Sequence, residues 1–263
     1  MKWFSCILVC IASFVRAQEP YRCADFHFPP TTQKVVKTES EINRVTGEKK
    51  EIKKVTYFFE KQRLQKRITL ENEQEITELF QYNDSVLIGY TKNYPDIKSE
   101  EKYHYSKTGK LQKILLLDDG KITAQIQLTY DKNGNLSQKL TFADDKTLVR
   151  KETFSAYTSP STYTQKVWVK EGKKWLVDEV YQFENGNLMR STHNKLGEPY
   201  TLIKTYDTHH NILKDEKFET QDPVLYHTKY DDQGRMLSVS IVSNDAVYYV
   251  GVEYDYQPLL TKN

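Results

Sequence analysis

Apolar and polar side chains alternate one for one along long stretches of the chain. Between residues 122 and 130, Ile122, Ala124, Ile126, Leu128 and Tyr130 fall on one side, while Thr123, Gln125, Gln127 and Thr129 fall on the other. Val224, Tyr226, Thr228 and Tyr230 repeat the pattern against Leu225, His227 and Lys229, and Tyr248, Val250, Val252 and Tyr254 continue it. A period of two is that of a strand with one face toward a core, and it would smear the apolar residues around a helix. The segments are rich in Tyr, Thr, Val and Ile, whose branched or aromatic side chains suit a pleated, half-buried surface.

The strands are punctuated by a recurring turn. YDKNGNL at 130–136, YDTHHNI at 206–212 and YDDQGRM at 230–236 share an aromatic residue, an aspartate and a closing apolar residue; YSKTGKL at 105–111 has the same spacing. In these units Tyr130, Tyr206 and Tyr230 precede the turn. Asp131, Asp207 and Asp231 can accept backbone N–H bonds within it, and Gly134 and Gly234 tolerate a positive φ. Leu136, Ile212 and Met236 follow six positions after the aromatic, on the same face, where the two can pair across a hairpin. With looser residue types the step between anchors is twelve: Tyr206, Phe218, Tyr230, Val242 and Tyr254, and likewise Tyr130, Phe142 and Phe154. Phe142 with Leu148 continues the series, and Phe58 with Leu64, Leu70 with Ile76, and Phe80 with Val86 extend it faintly toward the start. About twelve residues hold one strand and one turn. The expectation is therefore an all-β chain: a long antiparallel meander of about sixteen strand–turn units, rolled into a curled sheet or an irregular barrel.

Two segments depart from the step. TSPSTYTQ at 158–165 reads as a loop around Pro160, followed by a hairpin in which Trp168 and Trp175 flank Gly172. Residues 18–34, with Pro29 and Pro30, read as an extended arm ahead of a single domain at 35–263. Before it, residues 1–17 have a positive start at Lys2, an apolar run from Phe4 to Phe14 and small residues up to Ala17, the layout of a cleaved signal peptide. That run is far shorter than the roughly 20 residues a membrane-spanning helix needs. The expected product is exported, periplasmic or at the cell surface, and not membrane-spanning after cleavage.

Removing the leader leaves Cys23 as the one cysteine, so neither an intrachain disulfide nor a cysteine metal site can form. Lys2 and Arg16 account for two of the 38 basic residues, so the remainder balance the 36 acidic ones. Such a balance supplies no clustered positive field, and nucleic acid is not an expected partner.

The turn strings, from Tyr130, Asp131, Gly134 and Leu136 to Tyr230, Asp231, Gly234 and Met236, resemble the YD repeats of the Rhs family and of other exported bacterial proteins with scattered copies. The resemblance covers the chain from about residue 100 onward, and the junction of Ala17 with Gln18 looks like leaders common in Bacteroidetes. It implies hairpins wound into a curved sheet. It specifies a fold and no chemistry.

Candidate chemistry is sparse. His193, His209, His210 and His227 fall on different strands and turns, and zinc needs three or four side chains meeting at one point. Asp118 with Asp119, Asp144 with Asp145, and Asp231 with Asp232 sit at predicted turns, where aspartate is a common turn-former. A glycosidase needs two carboxyls roughly 5–9.5 Å apart across a cleft. No Gly-x-Ser-x-Gly elbow and no phosphate-cradling glycine loop is present. No catalytic, cofactor or metal residue is therefore assigned. The aromatic residues carry the functional leverage: Trp168, Trp175 and Tyr249 are candidates for stacking on sugars or for a protein contact. The expected function is a non-enzymatic binding or interaction module of the cell envelope, taking a protein or a glycan. A hydrolase acting on a surface polymer and a partner neutralising a secreted toxin are the alternatives.

Overall fold

The structure is a computed structural model that describes Arg22, Phe26 and residues 28–84, 86–194, 200–217, 223–243 and 247–257. The expected signal peptide, Cys23, and the anchors Phe218 and Leu260 lie outside the described residues. Eighteen strands follow one another: β1 (Lys34–Asn43), β2 (Lys49–Glu60), β3 (Arg63–Glu71), β4 (Gln74–Asn83), β5 (Val86–Asn93) and β6 (Lys98–Tyr105), then β7 (Leu111–Asp118), β8 (Lys121–Tyr130), β9 (Leu136–Ala143), β10 (Leu148–Ser159), β11 (Thr162–Glu171) and β12 (Lys174–Glu184), then β13 (Asn187–His193), β14 (Tyr200–Tyr206), β15 (Ile212–Lys217), β16 (Val224–Tyr230), β17 (Met236–Ser243) and β18 (Tyr248–Gln257). Every strand pairs antiparallel with the next in sequence. β1 pairs along its length with β2, and also with β18, from Lys34 opposite Gln257 to Asn43 opposite Tyr248. The meander therefore closes into an 18-stranded barrel, a more definite object than the curled sheet or irregular barrel the sequence suggested.

Closure leaves an entry rim, where the chain enters β1 and leaves β18, and a far rim. All four of the clear sequence turns lie on the entry rim. The twelve-residue anchors thus alternate between rims, and the structural unit is a pair of strands. In these four turns the first side chain caps the backbone: Asp131 Oδ1 accepts the N–H groups of Asn133 and Asn135, Asp207 Oδ1 those of His209 and Asn211, and Asp231 Oδ1 those of Gln233 and Arg235. Ser106 does the same for Thr108 and Lys110. Gly134 and Gly234 take positive φ, and His210 occupies the corresponding position at φ 64° without the freedom of glycine.

Tyr130 stands opposite Leu136, Tyr206 opposite Ile212 and Tyr230 opposite Met236. Each pair follows a register shift, and the same shift precedes Phe59, Tyr82, Tyr105 and Phe183 on the same rim. A bulge bends the strand and adds twist, so its repetition at one rim curls the sheet toward closure. The tyrosines then tie one hairpin to the previous one. The hydroxyls of Tyr82, Tyr105, Tyr130, Tyr157 and Tyr206 donate to the carbonyls of Leu64, Leu87, Leu111, Leu136 and Leu188, at 2.6–2.8 Å.

Several sequence expectations need correction. TSPSTYTQ is not a loop: β10 runs to Ser159 and β11 starts at Thr162, so Pro160 and Ser161 form a tight turn. The described residues form eighteen strands, not about sixteen. Phe58 faces Lys66, and the bulge gives Leu64 to Phe59 instead. A far-rim bulge puts Ile122 opposite Leu117, and Ile122 is exposed, off the face of Ala124, Ile126 and Leu128.

The closed sheet has one concave face, and the buried apolar side chains lie on it in two arcs. One gathers Val35, Val55, Tyr57, Phe59, Leu64, Phe80 and Leu87 around Phe28. The other runs from Leu111 through Leu128 and Leu136 to Phe154, Tyr163 and Phe183. Phe28 precedes β1 and lies against the rings of Tyr57, Phe59, Tyr254 and Tyr256, with centroids 5.5–6.1 Å apart. Phe28 thereby covers the seam where β18, β1 and β2 meet. Replacing Phe28 by Ala should cost about 3–5 kcal/mol, as for a buried phenylalanine elsewhere. Denaturant melts of the variant check the loss, and faster proteolysis ahead of Lys34 should accompany it.

Candidate functional site on the inner wall

Between the apolar residues of the entry rim and the far rim, the inner wall carries charge. Inward positions follow from the register: Arg67 faces Glu78, Glu78 faces Lys92, Lys139 faces Glu152, Glu179 faces His193, and Lys204 faces Asp215. Glu78 is 2 % exposed. Its Oε2 is bonded by Arg67 Nε, and its Oε1 accepts Arg67 Nη2 at 2.6 Å and the Tyr90 hydroxyl at 2.5 Å. Burial alone would raise the Glu78 pKa, but the guanidinium outweighs it and holds the carboxyl below the usual range, with Tyr90 and Lys92 helping. The Tyr90 hydroxyl is pushed up by burial and by the facing carboxylate.

Glu152 is satisfied in the same way: Oε1 accepts Arg150 Nε at 2.9 Å and lies 3.4 Å from Lys139 Nζ, while Oε2 accepts Gln165 Nε2 at 2.8 Å. Glu101, on β6, has no such cation in hydrogen-bonding contact among the described residues. Burial raises its pKa, against the hydroxyl of Tyr103 at 2.5 Å and the charge of Lys139. Both oxygens of Glu152 are engaged, which suits a structural ion pair better than a nucleophile or base.

From β12 to β17 the wall is less covered. Among the described residues, Met236 is the one fully buried apolar side chain between Leu188 and Ser243. On this arc the His193 ring stacks on Tyr200, centroids 4.7 Å apart, with Tyr181 edge-on at 5.8 Å. His193 Nδ1 lies 3.3 Å from Glu179 Oε1. Further along, Lys204 binds Asp215 Oδ2, whereas Asp215 Oδ1 is buried with no hydrogen-bond donor among the described residues. A buried acceptor without a donor costs about 1–3 kcal/mol and calls for a partner. Tyr226, half-buried on β16, has its hydroxyl pKa raised by burial and then by Asp215. The arc therefore offers flat aromatic faces beside a fixed carboxylate, on a concave surface.

The residues singled out from the sequence are placed as follows. Tyr130, Asp131, Gly134 and Leu136, Tyr206, Asp207 and Ile212, and Tyr230, Asp231, Gly234 and Met236 line the entry rim, and Tyr230 reaches the preceding turn, its hydroxyl donating to Asp207 Oδ2 and its ring stacking on His209 at 4.4 Å. Trp168 and Trp175 sit diagonally on the outer face of β11 and β12; Trp168 Nε1 donates to Thr153 Oγ1 at 3.0 Å, and Lys151 Nζ lies 5.1 Å from its ring centroid. Tyr249 is also outward, opposite Ile42 on β1, and the structure does not bring it to the tryptophans. His193 is near the far rim, His209 and His210 are in an entry-rim turn, and His227 is outward. Among the described residues no three His, Cys, Asp or Glu side chains form a group that could hold a metal ion. Asp118, Asp119, Asp144 and Asp145 are at the far rim, and Asp231 and Asp232 at the other. The inner charge pairs and the arc around Asp215 escaped the sequence, because cross-strand partners are set by register. The recurrence of tyrosine at 82, 105, 130, 157, 206 and 230 was the legible trace of the rim ladder.

No family model matches the chain, and no curated protein matches it. Among solved structures, a porin-like protein from Bacteroides uniformis is similar, with 13% identity over 87% of this chain and 98% of that one and a TM-score of 0.43. No helix among the described residues is long and apolar enough to cross a membrane.

The Arg67–Glu78 pair predicts an acid-sensitive wall. Because Glu78 is held below its ordinary 4.5, the stability it confers is complete above that value and is lost as pH falls through the depressed folded one. Glu78→Gln, which leaves a buried guanidinium uncompensated, should lower stability at pH 7 by about 3–5 kcal/mol. It should also flatten the acid limb of a plot of denaturant midpoint against pH.

Proposed function

We propose that this chain is an exported, non-enzymatic binding module whose inner wall between β12 and β17 takes a polyhydroxylated ligand, a glycan of the cell envelope. The observation that carries the reading is Asp215, locked by Lys204 on one oxygen and, among the described residues, lacking a donor on the other, beside the ring of Tyr226. Sugars present flat apolar faces and outward hydroxyl groups, so a ring stacks on tyrosine while a hydroxyl donates to the carboxylate. Carboxylates held by cations elsewhere on the wall favour binding over acid–base chemistry. The turn chemistry of the entry rim keeps the likeness to YD-repeat proteins as a proposal about ancestry, and the apolar leader supports export.

Lipid is a poor solvent for the outer wall. Lys54, Lys102 and Lys166 project from the middle of their strands, opposite Leu70, Gly89 and Val180. A lysine on the lipid face at the bilayer midplane costs about 2–4 kcal/mol. The barrel wall accordingly works in water.

A glycan array probed with the purified chain, followed by titration of any hit, tests the proposal. Tyr226→Ala and Asp215→Asn should each weaken binding about tenfold or more, by loss of stacking or of a charge-assisted hydrogen bond. Silence across the array, or binding indifferent to both substitutions, contradicts the reading. Turnover of the bound glycan would move the chain to the hydrolase class.

A further inference from the structure

Most of the exposed apolar residues gather at the rims, with Ile52 and Leu79, 37% and 38% exposed, on the wall between them. Val45, Leu70, Ile97, Ile122, Val149 and Leu176 each stand at or within a few residues of a far-rim turn, one for each of the first six such turns. They recur at steps of 25 to 27 residues, once per strand pair. Val247, 56% exposed, ends the last far-rim turn, and exposed Tyr248 opens β18. The entry rim differs: its turn tips carry Lys61, Gln62, Asp84, Asn133, Asn185 and Gln233, and its exposed apolar residues, Ile88, Leu213 and Leu237, are the extra residues of bulges. The molecule is thus amphipathic along its axis. A crown of aliphatic tips on one rim is expensive to leave in water and marks a contact surface.

We infer that the far rim is a membrane-docking surface, on which the barrel stands end-on with its crown pressed into the interface of a bilayer and the β11–β12 hairpin meeting its anionic headgroups. Three features choose lipid over a second copy of the chain. The tips are separated by charged turn residues, Asp96, Asp119, Asp144 and Glu171, which a dry rim-to-rim interface would trap and which a headgroup layer keeps solvated. Behind the tips of β11 and β12, on the outer face, sit Trp168 and Trp175, residues that favour the membrane–water boundary because one part of the ring system is apolar and the N–H is polar. The hairpin between them carries exposed Lys170, Lys173 and Lys174, and Lys151 covers Trp168, a local positive charge suited to anionic headgroups. Docking is shallow: the tips enter while the charged outer wall stays in water. It is independent of the glycan proposal and would turn the entry rim, with its turns, away from the surface.

The full chain carrying Trp3→Phe emits from Trp168 and Trp175 alone. Mixed with vesicles of phosphatidylglycerol and phosphatidylethanolamine, it should show a blue shift and quenching by lipids brominated near the headgroup. Val149→Asp with Leu176→Asp should weaken vesicle partitioning at least tenfold, and Val45→Asp with Ile97→Asp, remote from the tryptophans, should do likewise. Circular dichroism verifies that the variants fold. Lys173→Glu with Lys174→Glu should remove the preference over phosphatidylcholine vesicles. The inference is overturned if the parent chain is not quenched, or if the aspartate variants are quenched as strongly. It is equally overturned if light scattering finds a dimer that the aspartate variants dissolve while vesicles leave the fluorescence unchanged.

Discussion

Everything in this fold follows from the need to close the sheet. A meander of amphipathic strands has an apolar face to bury and two edges whose backbone groups would otherwise recruit other chains. Pairing β1 with β18 over ten residues satisfies both demands together. Once the ends are joined, the apolar face becomes concave and its side chains cover one another along the wall. The repeated entry-rim bulges supply the curvature, and the tyrosine hydroxyls fix each hairpin to its neighbour so that the curvature accumulates in one direction. Phe28 seals the joint from inside, making the segment before β1 part of the closure.

The same geometry explains how a chain with balanced charge and modest hydrophobicity sustains so large a sheet. Inward positions away from the apolar rim are filled by ion pairs and hydrogen-bonded carboxylates, as at Glu78 and Glu152, so polar residues can occupy the concave side without orphaned charge. Where this satisfaction is incomplete, around Asp215, the wall is also least covered, and there a ligand has something to complete. Outside, lysines and glutamines face water, and apolar residues persist at the far rim. Inner arc, outer wall and far rim are three environments made by one alternating pattern.

Much of the architecture was legible because strand periodicity and turn chemistry are local. Ile126, Leu128 and Tyr130 announce an inward face, and Asp131 with Gly134 announces a turn, without reference to distant residues. The hairpin at Trp168 and Trp175 was readable for the same reason. Long-range matters were not. Nothing in β1 says that Thr38 meets Glu253, and nothing near Arg67 says that Glu78 will hold it, because register across strands depends on bulges that local sequence does not mark. Pro160 misled: proline usually interrupts a strand, yet here it sits in a two-residue turn and costs the ladder no donor. Ile122 was misplaced by one bulge, which shifts every alternation beyond it.

Ring closure is the claim on which the inner wall, the two rims and the rim ladder rest, and it can be measured at Thr38 and Glu253, which stand opposite each other on β1 and β18. With Cys6, Cys10 and Cys23 replaced by serine, Thr38→Cys and Glu253→Cys should form a disulfide within one chain on mild oxidation, since facing strand positions are within about 4.5–5.5 Å at Cβ. A cross-link confined to a monomeric, folded chain is the predicted result. Thiols that stay reduced, or that link only one chain to another, would show that the two ends of the sheet are apart and that the barrel is open.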